Sequence, residues 1–200
     1  MWMEELFRLE KMKQFEFSYS SFNFICGVDE VGRGALAGPV VACAVILKKP
    51  WDIHEIKDSK QLSAFKREKL AEKIKKESLA YAISAVSPKD IDQINILQAT
   101  YQAMKKAVEK LSFTPQMVLV DALDIPKLLL PQKAIIKGDE KSVSIAAASI
   151  VAKVYRDHLM KQYDGIYPHY HFAAHKGYGT SDHIQQIKKY GISIIHRKTS

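Results

Sequence analysis

Four acidic residues stand where apolar runs of the sequence end. Asp29 and Glu30 follow the run 22–26, Asp121 follows 116–120, and Asp139 follows 134–137 across Gly138. Carboxylates at strand ends suit Mg2+ or Mn2+, which prefer hard oxygen ligands. Directly after the first pair come Gly32, Arg33, Gly34 and Gly38. Glycines in such a turn let backbone N–H groups approach a phosphate, and an arginine adds a forked donor. The juxtaposition reads as a site for metal-assisted chemistry on a phosphodiester. A surface hairpin carrying two solvated acids explains this one segment equally well.

The four acids weigh more together than singly. Any one of them is accounted for as an N-cap or a solvated loop residue, whereas four on successive sheet edges are harder to explain that way. Gathered at neutral pH they would repel, so the cluster persists only with cations bound. Two divalent ions are the usual arrangement for phosphodiester cleavage, one activating the attacking water and the other stabilising the departing oxygen. Strand geometry adds a condition. Consecutive side chains point to opposite faces, so Asp29 and Glu30 cannot both face one metal from a regular strand. The chain must turn or bulge after Asp29, or Glu30 must reach round, and Asp29 is the safer ligand.

The elements that must position these residues follow from the apolar pattern. Strands are expected at 24–28, 40–47, 81–86, 116–120 and 134–137, the first two joined by the glycine-rich link as an antiparallel pair with a bulged turn. A short helix is expected within 1–13. Ser63 is the N-cap of a charged helix whose buried stripe is Phe65, Leu70 and Ile74, and whose lysines form a solvated face. Ser87-Pro88 opens a helix running to about residue 111, with Ile91, Ile94, Leu97, Tyr101, Met104 and Val108 on one face. An Ala/Ser-rich helix over 144–163 can pack closely on the sheet. A last helix runs from 181 to 190 and ends at Gly191. Acids at the ends of strands in such an α/β sheet place the site at its rim.

Composition sets the outer bounds. With 200 residues, 47% of them hydrophobic, the chain can bury one substantial α/β core, and it is read as a single domain over 1–200, with an N-terminal extension over about 1–23 and a helical C-terminal region over about 164–200. The formal net charge of +8 favours a polyanionic partner through long-range attraction and counterion release. Cys26 and Cys43 lie in apolar runs without metal-ligand spacing and are read as reduced, buried thiols of a cytosolic protein. The first residues carry no secretory apolar region, and no apolar stretch is long enough to span a bilayer. A cytoplasmic protein without a membrane role is expected.

With these residues assembled, the chain resembles the ribonuclease HII family, the bacterial type 2 ribonucleases H. The resemblance is carried by Gly-Val-Asp-Glu-Val-Gly-Arg-Gly-Ala-Leu-Ala-Gly-Pro-Val from Gly27, Lys57-Asp58-Ser59-Lys60-Gln61-Leu62, and Val120-Asp121-Ala122. It continues through Ile136-Lys137-Gly138-Asp139-Glu140-Lys141-Ser142, the stretch from Ala146 to Asp157, His175-Lys176-Gly177-Tyr178-Gly179-Thr180, and His196-Arg197. It implies a ribonuclease H-like fold: a five-stranded mixed sheet flanked by helices, with a helical C-terminal part. It implies a metal site of Asp29, Glu30, Asp121 and Asp139 that takes Mn2+ or Mg2+, with two divalent ions during turnover. The implied reaction is endonucleolytic hydrolysis of RNA in RNA–DNA hybrids and at single ribonucleotides embedded in duplex DNA, leaving a 5′-phosphate and a 3′-hydroxyl, by a monomer. Gly32, Arg33, Gly34 and Tyr178 are then the elements that sense the ribose 2′-OH and the junction, and Lys57 and Lys60 are phosphate contacts. The 2′-OH is the sugar mark that separates RNA from DNA, and a stacked tyrosine can test the next deoxyribose. Ala35, Val31 and Ala122 depart from the family's usual proline, alanine and glycine, changes of loop stiffness and not of ligand identity. The sister family, ribonuclease HIII, usually lacks the Gly-Arg-Gly and adds an N-terminal domain, for which about two dozen residues before the first strand are too few.

Several residues have plainer explanations. Arg156 and Asp157 read as a structural pair supporting the sheet or the metal shell. His169, His171, His175 and His183 fit no closed zinc pattern and are read as hydrogen-bonding residues, His175 as support for a loop or a phosphate. Ser142 and Ser149 are read as capping and packing residues. A basic nucleic-acid binder without catalysis would gain by shedding its buried acids, and the Gly-Arg-Gly loop paired with Tyr178 argues against a junction resolvase.

Overall fold

The computed structural model describes residues 10–51, 53, 55–56 and 63–199. Its centre is a five-stranded sheet of β1 (Ile25–Val31), β2 (Val40–Ile46), β3 (Ala80–Val86), β4 (Met117–Asp121) and β5 (Gln132–Ile135), in the order β3-β2-β1-β4-β5. The first three strands form an antiparallel meander, while β4 and β5 run parallel to β1, so the sheet is mixed. β2 is buried throughout and β1 as far as Asp29, which is why 25–28 and 40–46 read as continuous apolar runs.

Helices cover both faces. α1 (Gln14–Ser18) precedes the sheet; α2 (Ala64–Glu77) follows β2; α3 (Pro88–Ile94) and α4 (Ile96–Glu109) lie between β3 and β4. α5 (Gly138–Lys141) and α6 (Val143–Ile166) follow β5, and the C-terminal part adds a 3-10 turn (Pro168–Tyr170), α7 (Phe172–His175) and α8 (Ser181–Tyr190). One face of the sheet packs Ile25, Val41, Cys43, Val45 and Leu119 against α6 and α2. The other packs Cys26, Val28, Ala42 and Ala44 against Ala99, Ala103, Met104 and Ala107 of α4.

α6 is the central support of the site. Its alanines, Ala146, Ala147, Ala148 and Ala152, are all buried, and their small side chains let the helix axis approach the sheet. Where it starts, the approach is closer still: a Cβ at Gly27 would lie 2.0 Å from the backbone carbon of Ser144. No other residue fits at position 27 of β1 without displacing the helix. Ser142 caps α6 through its Oγ, which accepts from Ile145 N at 3.2 Å.

Four expectations need correction. The helix expected from Ser87 to about 111 is two helices, broken at Asn95, whose φ of 67° lies in the left-handed region. Asn95 ends α3 and recaps the chain, its Oδ1 accepting from Gln98 N at 3.0 Å. The break rotates the buried face of α4 onto Ala99, Thr100, Ala103 and Ala107, and Leu97 is left exposed. Phe65, expected in the core, is also exposed, its ring lying under the Lys69 ammonium, while Ala71 joins Leu70 and Ile74 in the buried stripe. β1 runs to Val31, past the end expected at residue 28, and β5 lies two residues earlier than expected.

Candidate active site

The longer β1 answers how the chain turns after Asp29: it does not turn. Asp29, Glu30 and Val31 stay in register with Cys43, Ala42 and Val41 of β2. Asp29 therefore shares the α6 face with Cys43, and Glu30 lies on the opposite face beside Ala42. Val28 of β1 aligns with Val120 of β4, which puts Asp121, the last residue of β4, level with Asp29 and on the same face. β4 ends there, so Glu30 can act round the end of the sheet, and its charge is felt by both aspartates.

The electrostatics of this rim are unfavourable as they stand. Burial, and then the Glu30 charge, push the Asp29 carboxyl well above the usual carboxylate range; a bond from the Ser149 hydroxyl opposes this, and Asp121 adds to the rise. Burial also raises Glu30, against the pull of Arg33, whose Nη1 donates to Glu30 Oε1 at 3.4 Å, and Asp121 raises it further. The second oxygen of Glu30, Oε2, is buried with no hydrogen-bond partner. Asp121 Oδ1 accepts from Gly138 N at 2.6 Å, which ties the end of β4 to the start of α5. A Cβ at Gly138 would press on Ile145 Cδ1 at 2.6 Å and on Asp121 Oδ1 at 3.2 Å, so glycine there keeps α5 against the carboxylate. Asp139 is the next residue, half-buried in the first turn of α5. Ala122, just past Asp121, is held in the left-handed region at φ 56° with its N–H bonded to Ile135 O at 3.0 Å.

All four acids thus lie along one end of the sheet, and the charges of Asp29, Glu30 and Asp121 repel one another. Among the described residues no three His, Cys, Asp or Glu side chains form a closed metal shell, the acids included. Their donor chemistry fits a hard divalent cation: all are carboxylates, three repel one another in a way a cation would relieve, and one buried oxygen lacks any partner.

The glycine loop sits beside this rim and is bound to Tyr178. Ala35 pairs with Tyr178 in an isolated antiparallel bridge, and the N–H groups of Leu36 and Ala37 both donate to Gly177 O, at 2.8 and 3.2 Å. The two glycines differ. Gly32 has φ 95°, and a Cβ there would lie 2.2 Å from Arg156 Nε. Gly34 has open space where its Cβ would be. The fold requires glycine at 32, and nothing within the fold requires it at 34. Arg33 is exposed, and the half-buried Tyr178 ring lies 5.3 Å from the Arg156 guanidinium carbon. Lys57 and Lys60 lie outside the described residues.

Residues that the sequence left in plain roles hold this loop. Arg156 does not pair with Asp157; it is fully buried and donates to Pro39 O, Lys176 O and Ala37 O at 2.9, 2.9 and 3.0 Å, while Asp157 pairs with Lys153 at 2.8 Å. His175 is loop support: its Nε2 lies 2.6 Å from Tyr170 O and its Nδ1 accepts from Gly177 N at 3.1 Å. Ser149 belongs to the Asp29 surroundings, not to packing alone. Glu16, which no sequence pattern marked, is buried at the start of α6, its Oε1 bonded to Ser142 Oγ at 2.6 Å and Ser144 N at 3.0 Å.

A mixed five-stranded sheet in this order, with acids at one end of β1, β4 and the chain after β5, defines a nuclease of the ribonuclease H-like fold. The ribonuclease HII family model matches residues 26–199, and the chain belongs to that family. It is 55% identical over 190 residues to the ribonuclease HII of Lachnoclostridium phytofermentans, covering 95% of this chain and 75% of that one. It is 54% identical over 201 residues to that of Caldanaerobacter subterraneus, covering 99% and 83%. Among solved structures, ribonuclease H2 from Pyrococcus horikoshii superposes with a TM-score of 0.74 at 30% identity, covering 88% of this chain and 93% of that one. The chain is accordingly a phosphodiester hydrolase, an endoribonuclease. Among the described residues no helix is long and apolar enough to cross a membrane.

Proposed function

We propose that this protein cleaves the RNA strand of RNA–DNA hybrids and cuts duplex DNA at single embedded ribonucleotides, leaving a 5′-phosphate and a 3′-hydroxyl. The observation that carries this reading is the adjacency of the acids and the glycine loop, joined through the Glu30–Arg33 bond. The carboxylates of Asp29, Glu30 and Asp121 repel one another at the sheet end, and directly beside them the glycine loop is bridged to Tyr178.

Asp29, Glu30, Asp121 and Asp139 would hold two divalent ions, Mn2+ or Mg2+, which when bound supply activation of the attacking water and stabilisation of the departing 3′-oxygen. The protein's own part is to place carboxylates from β1, β4 and α5 at one end of a rigid sheet, so that little reorganisation is needed when the substrate arrives. The Glu30–Arg33 bond leaves Glu30 Oε2 unbonded, keeping one oxygen ready for a ligand. Gly34 leaves open the space that a side chain would fill, which suits close approach of a sugar–phosphate backbone and its 2′-OH to the loop. Tyr178, bridged to that loop, would stack on the neighbouring sugar. Lys57 and Lys60 are proposed phosphate contacts, and the net charge of +8 supports a polyanionic substrate.

Incubation of the purified protein with duplex DNA carrying one ribonucleotide, in Mn2+, Mg2+ or EDTA, tests the reading. A cut beside the ribonucleotide with either metal, absent in EDTA, is expected. No cut with either metal, at any salt concentration that permits binding, sinks it.

A further inference from the structure

His196 and Arg197 lie far along the chain from every acid, yet their side chains meet both halves of the proposed sugar-reading site. Arg197 is buried, and its guanidinium donates from Nε to Gly38 O at 3.0 Å, from Nη1 to Arg33 O at 2.9 Å and from Nη2 to Gly32 O at 2.6 Å. Its backbone N–H donates to Leu36 O at 2.8 Å. One residue therefore bonds carbonyls on both sides of the glycine loop. Among the described residues no carboxylate makes an ion pair with it, and the Arg156 charge is close enough to disfavour its own. A buried cation without a paired anion is costly for stability alone; what it gains here is a planar fork that fixes the relative positions of three carbonyls.

His196 reaches the other half through a chain of rings. Its backbone bridges Ala37. Its Nδ1 accepts from Ser193 N at 2.9 Å, so a neutral His196 carries its proton on Nε2. That Nε2 lies 3.0 Å from His183 Nε2, which must accept, leaving His183 Nδ1–H to donate to Tyr178 O at 2.9 Å. His175 stacks on the His183 ring at 4.2 Å and closes the packing. Each hydrogen bond fixes the next tautomer, and the chain ends on the backbone of Tyr178.

We propose that His196 and Arg197 are positioning residues that hold the Gly32-Arg33-Gly34 loop and Tyr178 in one fixed relation, and that this relation sets the preference for a single ribonucleotide over a long hybrid. The proposal rests on the sugar-reading role assigned above to the loop and to Tyr178. A junction that offers a single 2′-OH must be recognised by both halves at once, whereas a long hybrid offers a 2′-OH in every register. Misalignment of the halves therefore costs the single-ribonucleotide substrate more.

The test compares kcat and KM on a DNA duplex with one ribonucleotide and on a long RNA–DNA hybrid, with Mg2+, for wild type, Arg197→Lys, Tyr178→Ala and the double variant. Lysine keeps the charge and loses the fork. Arg197→Lys is expected to lower the single-to-hybrid ratio of kcat/KM about tenfold, in the same sense as Tyr178→Ala, and the double variant to lower it no further than Tyr178→Ala does. A ratio within about twofold of wild type for Arg197→Lys, with Tyr178→Ala shifting it, overturns the proposal and leaves the sugar-reading role standing. An unchanged ratio for Tyr178→Ala removes that role and the proposal with it. Imidazole 15N spectra of the wild-type protein near pH 7 give a second arm that needs no variant to fold. Nε2–H at His196 and Nδ1–H at His183 are expected, and the opposite tautomer at either ring overturns the proposal.

Discussion

Gly32 and Arg156 are packed with no space for a side chain between them: a Cβ at position 32 would lie 2.2 Å from Arg156 Nε. Arg156 in turn holds the carbonyls of Ala37, Pro39 and Lys176. The glycine loop is therefore moulded round a guanidinium before any substrate is present.

That contact separates the two glycines of the Gly-Arg-Gly sequence. Gly32→Ala must distort a φ of 95° and displace Arg156, and is expected to destabilise the fold by about 2–4 kcal/mol. Gly34→Ala meets nothing and needs no left-handed backbone, so its stability should stay within about 1 kcal/mol of wild type. Cleavage at a single ribonucleotide should nevertheless fall more than about tenfold, because the methyl group occupies the space proposed for the sugar. Urea denaturation with the single-ribonucleotide assay separates the two cases. Equal stability losses at 32 and 34 would contradict this division.

Asp121→Asn keeps the Oδ1 acceptor for Gly138 N–H, whose bond is 2.6 Å in the wild type, and removes one charge from a repelling group. Its melting temperature without metal should not fall. Cleavage should drop at least about a thousandfold while duplex binding remains measurable. Saturating Mn2+ at about 100 times its dissociation constant should stabilise the wild type by about 2.7 kcal/mol through linkage, and Asp121→Asn by clearly less. A full metal-induced shift in Asp121→Asn would remove Asp121 from the ligand set.

How far the sequence revealed these arrangements depended on the range of the interaction. The strands, the Ser63 and Ser87 caps and the end of α8 at Gly191 were legible, because apolar runs, N-caps and C-terminal glycines act within one turn or one strand. That Asp29, Glu30, Asp121 and Asp139 lie near strand ends was legible from the apolar runs before them. The break at Asn95 was not, since a continuous apolar face hides a single left-handed residue. Arg156, Arg197 and Glu16 were illegible in role for another reason. Each satisfies carbonyls or N–H groups more than a hundred residues away, and nothing local in a sequence distinguishes such an arginine from a solvated one. The face of Glu30 was foreseeable from the alternation of β1, but the continuation of the strand through Val31 was not.

Acid should weaken the C-terminal part first. Burial, with the nearby His183, lowers His196 from 6.5 to about 4, and His183 is lowered by burial too. Between these values the unfolded chain binds a proton that the folded chain refuses, so this stability is complete above about pH 6.5 and is lost as the pH falls toward 4. The contribution from His196 is on the order of 2 kcal/mol once its partial contact with solvent is allowed for. Glu16 and Asp29, whose carboxyls are raised, act with the opposite sign, so the informative quantity is the difference between wild type and His196→Asn. That difference should shrink by on the order of 2 kcal/mol between pH 7 and 4.5 in urea titrations. A difference independent of pH would mean that His196 is not held neutral by the fold.

Glu16 ties the segment before the sheet to the segment that carries Asp139. Its Oε1 accepts from Ser142 Oγ–H and Ser144 N, and Ser142 N in turn bonds Gly138 O at 2.8 Å across α5. Glu16→Ala leaves a buried hydroxyl and a helix N-terminal N–H without their acceptor, which should cost about 2–3 kcal/mol and lower the melting temperature by roughly 5–10 °C. Because α5 loses its anchor, kcat should fall several-fold with KM nearly constant. Glu16→Gln retains an acceptor oxygen and should cost less than about 1 kcal/mol. Burial raises the Glu16 carboxyl, so its contribution is fullest below its unfolded value of 4.5 and declines as the pH rises through the higher folded value. The stability of Glu16→Gln relative to wild type should therefore improve as the pH is raised. A gap that widens with pH would show that the charged carboxylate, not its acceptor oxygen, is what the start of α6 requires.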